Sequence, residues 1–154
     1  MNDTALGQIT RSIDIDQVFP HTREVIWKTL TNGALMARWM MAPTGFTPAL
    51  GARFTFSTTG AGAWDGTIHC QIVELIPHER LAYSWCGGDA ANVGYGSLLD
   101  TLVTWTLTPV ETGTRLRIVH SGFVLPRNDS TYANLGAGWQ HVLPALRAVI
   151  DEEN

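Results

Sequence analysis

The chain has 154 residues, of which 45% are apolar and only 16% are charged, and its formal net charge is −4. This composition is typical of a folded globular domain and excludes a disordered chain. The negative charge argues against a nucleic acid or an anionic membrane as partner, because both attract positively charged surfaces. No stretch of the sequence is apolar over the length that a membrane span requires.

The first part of the chain predicts one strand followed by two short helices. Apolar and polar residues alternate from Ile9 to Val18, which is typical of a half-buried strand. Residues 21–30 then place apolar side chains at helical spacing, directly after Pro20. The pair Asn32-Gly33 ends this helix, and a second short helix is predicted at residues 34–40.

The middle of the chain predicts the rest of a sheet. Alternating segments lie at residues 53–58, 64–76, 79–86, 98–109 and 113–123, and the second of them either stays whole or breaks near Gly66. Because short turns join most of these segments, they predict an antiparallel sheet of about six to seven strands in all. The glycine-rich segment GGDAANVGYG has no lysine and opens no helix, so we interpret it as a mobile loop at the mouth of a cavity.

A long amphipathic helix is predicted after Asn128, with Asp129 or Ser130 as its N-cap. Its apolar stripe runs at spacings of three and four residues through Leu135, Trp139, Val142, Leu146 and Val149 or Ile150. A curved sheet that wraps round such a helix leaves a space between the two. The predicted fold is therefore α+β, with a single domain at residues 1–154 and a core at about residues 9–150.

Tryptophan is frequent, at six residues in the chain. By the alternation of their strands, Trp85 and Trp105 share a face with Leu81, Tyr83 and Val103. Any single tryptophan is more often a packed core residue than part of a site. Several that converge under one helix instead favour the lining of a cavity, because tryptophan is bulky and its N–H needs a partner.

His120 is the histidine that the alternation places on an inward strand face, beside Leu116 and Ile118. Three roles are open to it: a hydrogen-bonded residue at the cavity rim, a polar contact for a ligand, or a general acid/base tuned by burial. No carboxylate is placed beside it by the sequence, since Asp65, Glu74 and Asp100 are predicted to point outward. The chain also lacks the sequence motifs of serine hydrolases, zinc proteases and P-loop enzymes.

No metal or cofactor is predicted, because Cys70 and Cys86 lack the spacing of zinc ligands. We interpret both cysteines as free thiols in a reducing compartment. The first ten residues contain no basic region followed by an apolar run, so we expect no signal peptide and a cytoplasmic location.

Several motifs together resemble the START-like domains of the SRPBCC superfamily. They are VIWKTLT at residues 25–31, IVELIPHERLAYSW at residues 72–85, VTWTL, GTRL and HSGF in the last hairpin, and Gly138-Trp139 in the closing helix. The branch that they most resemble is named for the activator of the Hsp90 ATPase (AHSA-like). The resemblance implies a helix-grip fold, in which a curved antiparallel sheet encloses a long C-terminal helix and a cavity for apolar or aromatic small molecules. That activator has a second domain for which 154 residues leave no room, so we discount a co-chaperone role.

Three functional hypotheses follow. The first is binding of a small apolar or aromatic ligand, unidentified by the sequence, by Trp39, Phe56, Leu81, Tyr83, Trp85, Val103, Trp105, His120, Leu135 and Trp139. The second is a cyclase- or hydrolase-like enzyme that uses the same cavity with His120 as acid/base. The third is a chaperone-ATPase regulatory or interaction module, which needs a protein partner and a large exposed apolar patch. The oligomeric state is left open.

Overall fold

The computed structural model describes residues 9–154. In chain order its elements are β1 (Ile9–Phe19), α1 (Arg23–Leu30), α2 (Gly33–Trp39), β2 (Arg53–Ser57), β3 (Thr67–Ile76), β4 (Arg80–Gly87), β5 (Leu99–Val110), β6 (Gly113–Leu125) and α3 (Asp129–Glu153). The predictions that concern the first eight residues, that they belong to the domain and form no signal peptide, lie outside the described residues.

The strands within the described range form one six-stranded antiparallel sheet in the order β1-β6-β5-β4-β3-β2. The sheet is curved and open, and α3 lies against its apolar face, which confirms the predicted α+β helix-grip fold. The long segment predicted at residues 64–76 does not split into two strands, because the residues before Thr67 belong to a loop. No helix within residues 9–154 combines the length and the apolar character needed to cross a membrane.

Side-chain caps explain where the two short helices begin. The Thr22 hydroxyl accepts a hydrogen bond from the Val25 amide at 3.4 Å at the start of α1. The Asn32 side chain accepts one from the Leu35 amide at 3.1 Å at the start of α2. Each cap satisfies a backbone N–H that has no partner inside its own helix. The break predicted at Asn32-Gly33 is therefore the point where one helix ends and the next is capped.

The long helix α3 begins differently from the prediction. Its N-cap is Asn128 and not Asp129 or Ser130, and Asn128 makes no side-chain capping bond. The buried Asn128 amide is instead used for tertiary contacts: its oxygen accepts from the Val124 amide at 2.9 Å, and its nitrogen donates to the Leu98 carbonyl at 2.9 Å. Asn128 thus joins the end of β6 and the start of α3 to the loop that precedes β5.

Most of the apolar stripe predicted for α3 is buried against the sheet. The fully buried positions are Trp139, Leu143, Leu146, Val149 and Ile150. Leu143 is buried where the sequence predicted Val142, and Val142 is only partly buried. The residue four positions after Trp139 faces the sheet more directly than the residue three positions after it. Pro144 lies inside the helix, whose hydrogen-bonded span nevertheless continues to Glu153.

Candidate functional site

His120 lies on β6 beneath α3 and is wholly buried, which confirms that it faces inward. The indole N–H of Trp139 donates to its Nδ1 at 3.1 Å, and the Thr101 hydroxyl oxygen lies 2.7 Å from its Nε2. That hydroxyl donates its single hydrogen to the backbone carbonyl of Trp85 at 2.7 Å, so it accepts a hydrogen bond from the Nε2–H of His120. The ring is therefore the neutral tautomer with its proton on Nε2, and both ring nitrogens have partners.

Burial lowers the pKa of His120 to about 3, because the charged imidazolium would lose its hydration inside the protein. At neutral pH the ring is thus uncharged. To bind a proton or a ligand it must first give up its bond to Trp139 or Thr101. A role for His120 as ligand contact or acid/base stays a prediction, and the geometry describes a satisfied core histidine.

The other aromatic residues predicted to bind a ligand pack against one another in the core. Trp105 meets Trp39 and Trp139 edge to face, at ring-centroid distances of 5.8 and 5.7 Å. Its N–H donates to the Tyr83 hydroxyl at 3.1 Å. Edge-to-face packing at this distance is a preferred arrangement for aromatic rings. The predicted ligand-binding residues that lie in this closed core are Trp39, Phe56, Leu81, Tyr83, Val103, Trp105, His120 and Trp139.

A cavity of about 150 Å³ lies beside this aromatic core. It is bounded by the ends of β4 and β5, the loop between them and the first two turns of α3. Its apolar wall is formed by Met41, Trp64, Ile68, Trp85, Leu99 and Leu135. Trp85 and Leu135 are the two predicted ligand-binding residues that border it. Polar groups come from Thr58, Tyr95, Ser97, Thr131 and Asn134, and no lining residue is acidic or basic.

The glycine-rich loop that joins β4 to β5 forms one side of the mouth, as predicted. Gly88 has a φ of +74°, and a Cβ added there would lie 2.0 Å from the Ser97 carbonyl oxygen, so only glycine fits. Asn92 holds the tip of the loop, since its amide nitrogen donates to the carbonyls of Ala61 at 2.7 Å and Gly96 at 3.0 Å. The Asn92 side chain therefore braces the β4–β5 loop internally at Gly96 and ties it to the β2–β3 loop at Ala61.

Catalytic and metal chemistry has little support in this arrangement. The cavity holds no carboxylate, imidazole or thiol, and Asp65 and Asp100 point outward, as the sequence predicted. Among residues 9–154, no three His, Cys, Asp or Glu side chains come close enough together to hold a metal ion. The cavity is thus suited to enclosing an uncharged molecule by shape and apolar contact.

A family model described as "Activator of Hsp90 ATPase homolog 1-like protein" matches residues 20–151, which include α1, α2, five of the strands and nearly all of α3. The chain belongs to this family. This confirms the AHSA-like, START-like resemblance that the sequence motifs indicated. No curated protein matches the sequence.

Solved structures similar to this member of the Hsp90-activator-homologue family share its fold almost from end to end. Protein MLL2253 from Mesorhizobium loti is 30% identical with a TM-score of 0.79, over 94% of this chain and 99% of that one. Mll3558 from Rhizobium loti is 22% identical with a TM-score of 0.75, over 92% and 98%. BH1534 from Bacillus halodurans is 18% identical with a TM-score of 0.72, over 94% and 99%.

Several cavity residues of this family member were missed by the sequence analysis. Trp64 and Tyr95 lie in loops, where no periodicity indicates the direction of a side chain, and their rings pack at 5.8 Å. Ile68 is the second residue of β3 and Leu99 is the first residue of β5. The available signal was the glycine-rich loop itself: residues flanking a loop predicted at a cavity mouth are candidates for its wall.

Proposed function

We propose that the protein binds a small, uncharged apolar or aromatic molecule in the cavity between the β4–β5 loop and α3. The observation that carries this proposal is a cavity of about 150 Å³ with an apolar and aromatic wall and no acidic or basic side chain. A cavity of this volume accepts a molecule about the size of benzene. The fitting ligands therefore have one ring, and a sterol or flavonoid needs the loop or the helix to move.

The expected affinity is modest. Removing roughly 200 Å² of apolar surface from water, shared between the ring and the wall, contributes about 5 kcal/mol. Part of this is lost to the entropy of association. We therefore expect dissociation constants of about 1 mM or somewhat higher for simple one-ring compounds, since 1 mM corresponds to about 4 kcal/mol.

The test is a cavity-filling substitution with a matched control. Leu135→Trp places a third tryptophan ring at the cavity wall, beside Trp64 and Trp85, whereas Leu50→Trp adds the same ring at a leucine that is 69% exposed and borders no part of the cavity. Toluene, indole and acetophenone are titrated into both variants and the wild type by calorimetry. We expect binding to the wild type and to Leu50→Trp and loss of binding in Leu135→Trp. Binding that persists in Leu135→Trp, or no binding to the wild type, contradicts the proposal.

The two other hypotheses stay predictions. An enzyme that uses His120 as acid/base needs a free nitrogen on the imidazole ring and a second titratable group beside it. Both ring nitrogens of His120 are occupied, and their partners Thr101 and Trp139 do not titrate. A chaperone-regulating role is suggested by the family description. We keep the cytoplasmic location as part of the proposal, supported by the two free thiols of Cys70 and Cys86.

A further inference from the structure

The tryptophan side chains differ in what their indole N–H groups contact. In four of them the N–H donates to an acceptor within the protein: Trp39 to the Thr29 carbonyl at 3.1 Å, Trp64 to the Thr67 carbonyl at 2.9 Å, Trp105 to the Tyr83 hydroxyl at 3.1 Å and Trp139 to His120 at 3.1 Å. Trp27 is only partly buried. Trp85 is 3% exposed, yet within residues 9–154 its N–H has no acceptor.

The surroundings of Trp85 explain this free donor. Its ring packs against Phe56, His120 and Trp139 at centroid distances of 5.5, 5.4 and 5.9 Å. Both ring nitrogens of His120 are already occupied, so they offer nothing to Trp85. No side-chain nitrogen or oxygen of the described residues is both sealed from solvent and unpartnered, so the Trp85 N–H borders open space. Trp85 lines the cavity, so we take the cavity to be the open space that its N–H borders.

We propose that the Trp85 N–H donates a hydrogen bond to an acceptor oxygen of the ligand. This inference rests on the proposed function and narrows it to one class: uncharged one-ring aromatic compounds with a carbonyl or ether oxygen. A ligand in the cavity covers this N–H and removes it from water, so a ligand with an acceptor oxygen satisfies it while a pure hydrocarbon leaves it unpaired. A carboxylate is a poor alternative, because no basic side chain lines the cavity to offset its loss of hydration.

The test compares two ligands of nearly the same shape. Acetophenone carries a carbonyl oxygen where α-methylstyrene carries a CH₂ group, and both are titrated by calorimetry into the wild type, Trp85→Phe and Trp27→Phe. Trp85→Phe keeps an aromatic ring but removes the N–H, whereas Trp27→Phe makes the same substitution at a tryptophan that does not line the cavity. The measured quantity is the ratio of the two dissociation constants, which cancels general changes in cavity shape.

We expect Trp85→Phe to lower the preference for acetophenone roughly two- to tenfold, the range of one net hydrogen bond, and Trp27→Phe to leave it unchanged. An unchanged ratio in Trp85→Phe, or an equal fall in Trp27→Phe, overturns this inference while the proposed function stands. If neither compound binds the wild type, both fail.

A measurement on the wild type keeps the inference testable if Trp85→Phe does not fold. In proton–nitrogen correlation spectra, a new hydrogen bond moves the indole N–H signal of its donor. We expect acetophenone to move the Trp85 signal downfield and α-methylstyrene to move it less, with the Trp105 signal unaffected by either. Equal shifts of the Trp85 signal with both compounds overturn the inference.

Discussion

The buried neutral His120 predicts a specific dependence of stability on pH. Its pKa is about 3 in the folded protein and near the ordinary value of 6.5 in the unfolded chain. Between these two values the unfolded state binds one proton that the folded state does not, so stability decreases as the pH falls. From pH 8 to pH 5 the loss from this one residue is about 2 kcal/mol, and its slope approaches about 1.4 kcal/mol per pH unit near pH 5.

The matched variant is His120→Gln. A glutamine amide accepts from Trp139 and donates to Thr101 without titrating, so it keeps the pattern of hydrogen bonds and removes the proton-binding group. Urea unfolding of both proteins is measured from pH 8 to pH 5 at constant ionic strength. Carboxylates and the other histidines contribute equally to both curves and cancel in the difference.

We expect the wild type to lose about 2 kcal/mol more than His120→Gln between pH 8 and pH 5. If the two curves run parallel, His120 does not change its affinity for a proton on folding. The buried network that joins it to Trp139 and Thr101 is then not the arrangement present in solution. The same result would also reopen the hypothesis of His120 as an acid/base.

Two further predictions concern stability, measured by urea unfolding at pH 8. Tyr83→Phe leaves the buried Trp105 N–H without its acceptor and lowers the free energy of unfolding by about 1–3 kcal/mol. Tyr95→Phe, at a partly exposed ring, lowers it by less than ~1 kcal/mol. Equal losses in the two variants would contradict the buried hydrogen bond. Gly138→Ala places its methyl group in open space on α3 and raises the free energy of unfolding by about 1 kcal/mol. Gly88→Ala places a methyl group against a backbone carbonyl of the loop and lowers the free energy of unfolding by about 2 kcal/mol or more. Stabilisation by Gly88→Ala, or destabilisation by Gly138→Ala, would refute the loop and helix geometry.

The direction of each strand side chain was predictable because the period of two assigns residues to one face of the sheet. On that basis Trp85, Trp105 and His120 were predicted to face inward, and all three are buried. Residue periodicity also gave the order of the elements and the long closing helix, and the family motifs added the helix-grip arrangement of the two. The hairpin connections and the six strands therefore needed no information beyond local patterns and turns.

The boundary between core and cavity was not predictable in the same way. Whether an inward tryptophan fills space or borders it depends on how closely α3 approaches the sheet, and alternation carries no information on that distance. Trp105 is enclosed by Trp39 and Trp139, while Trp85 reaches the cavity. The opposite wall comes from loop residues such as Trp64, whose direction is set by contacts distant in sequence.

The most direct test of the central claim is a crystal structure of the protein soaked with acetophenone. We predict one ring in the cavity, between Trp85 and Leu135, with its carbonyl oxygen within hydrogen-bonding distance of the Trp85 N–H and the aromatic core unchanged. Density for the ligand among Trp105, Tyr83 and Trp139, or an empty cavity at saturating ligand, would contradict the account.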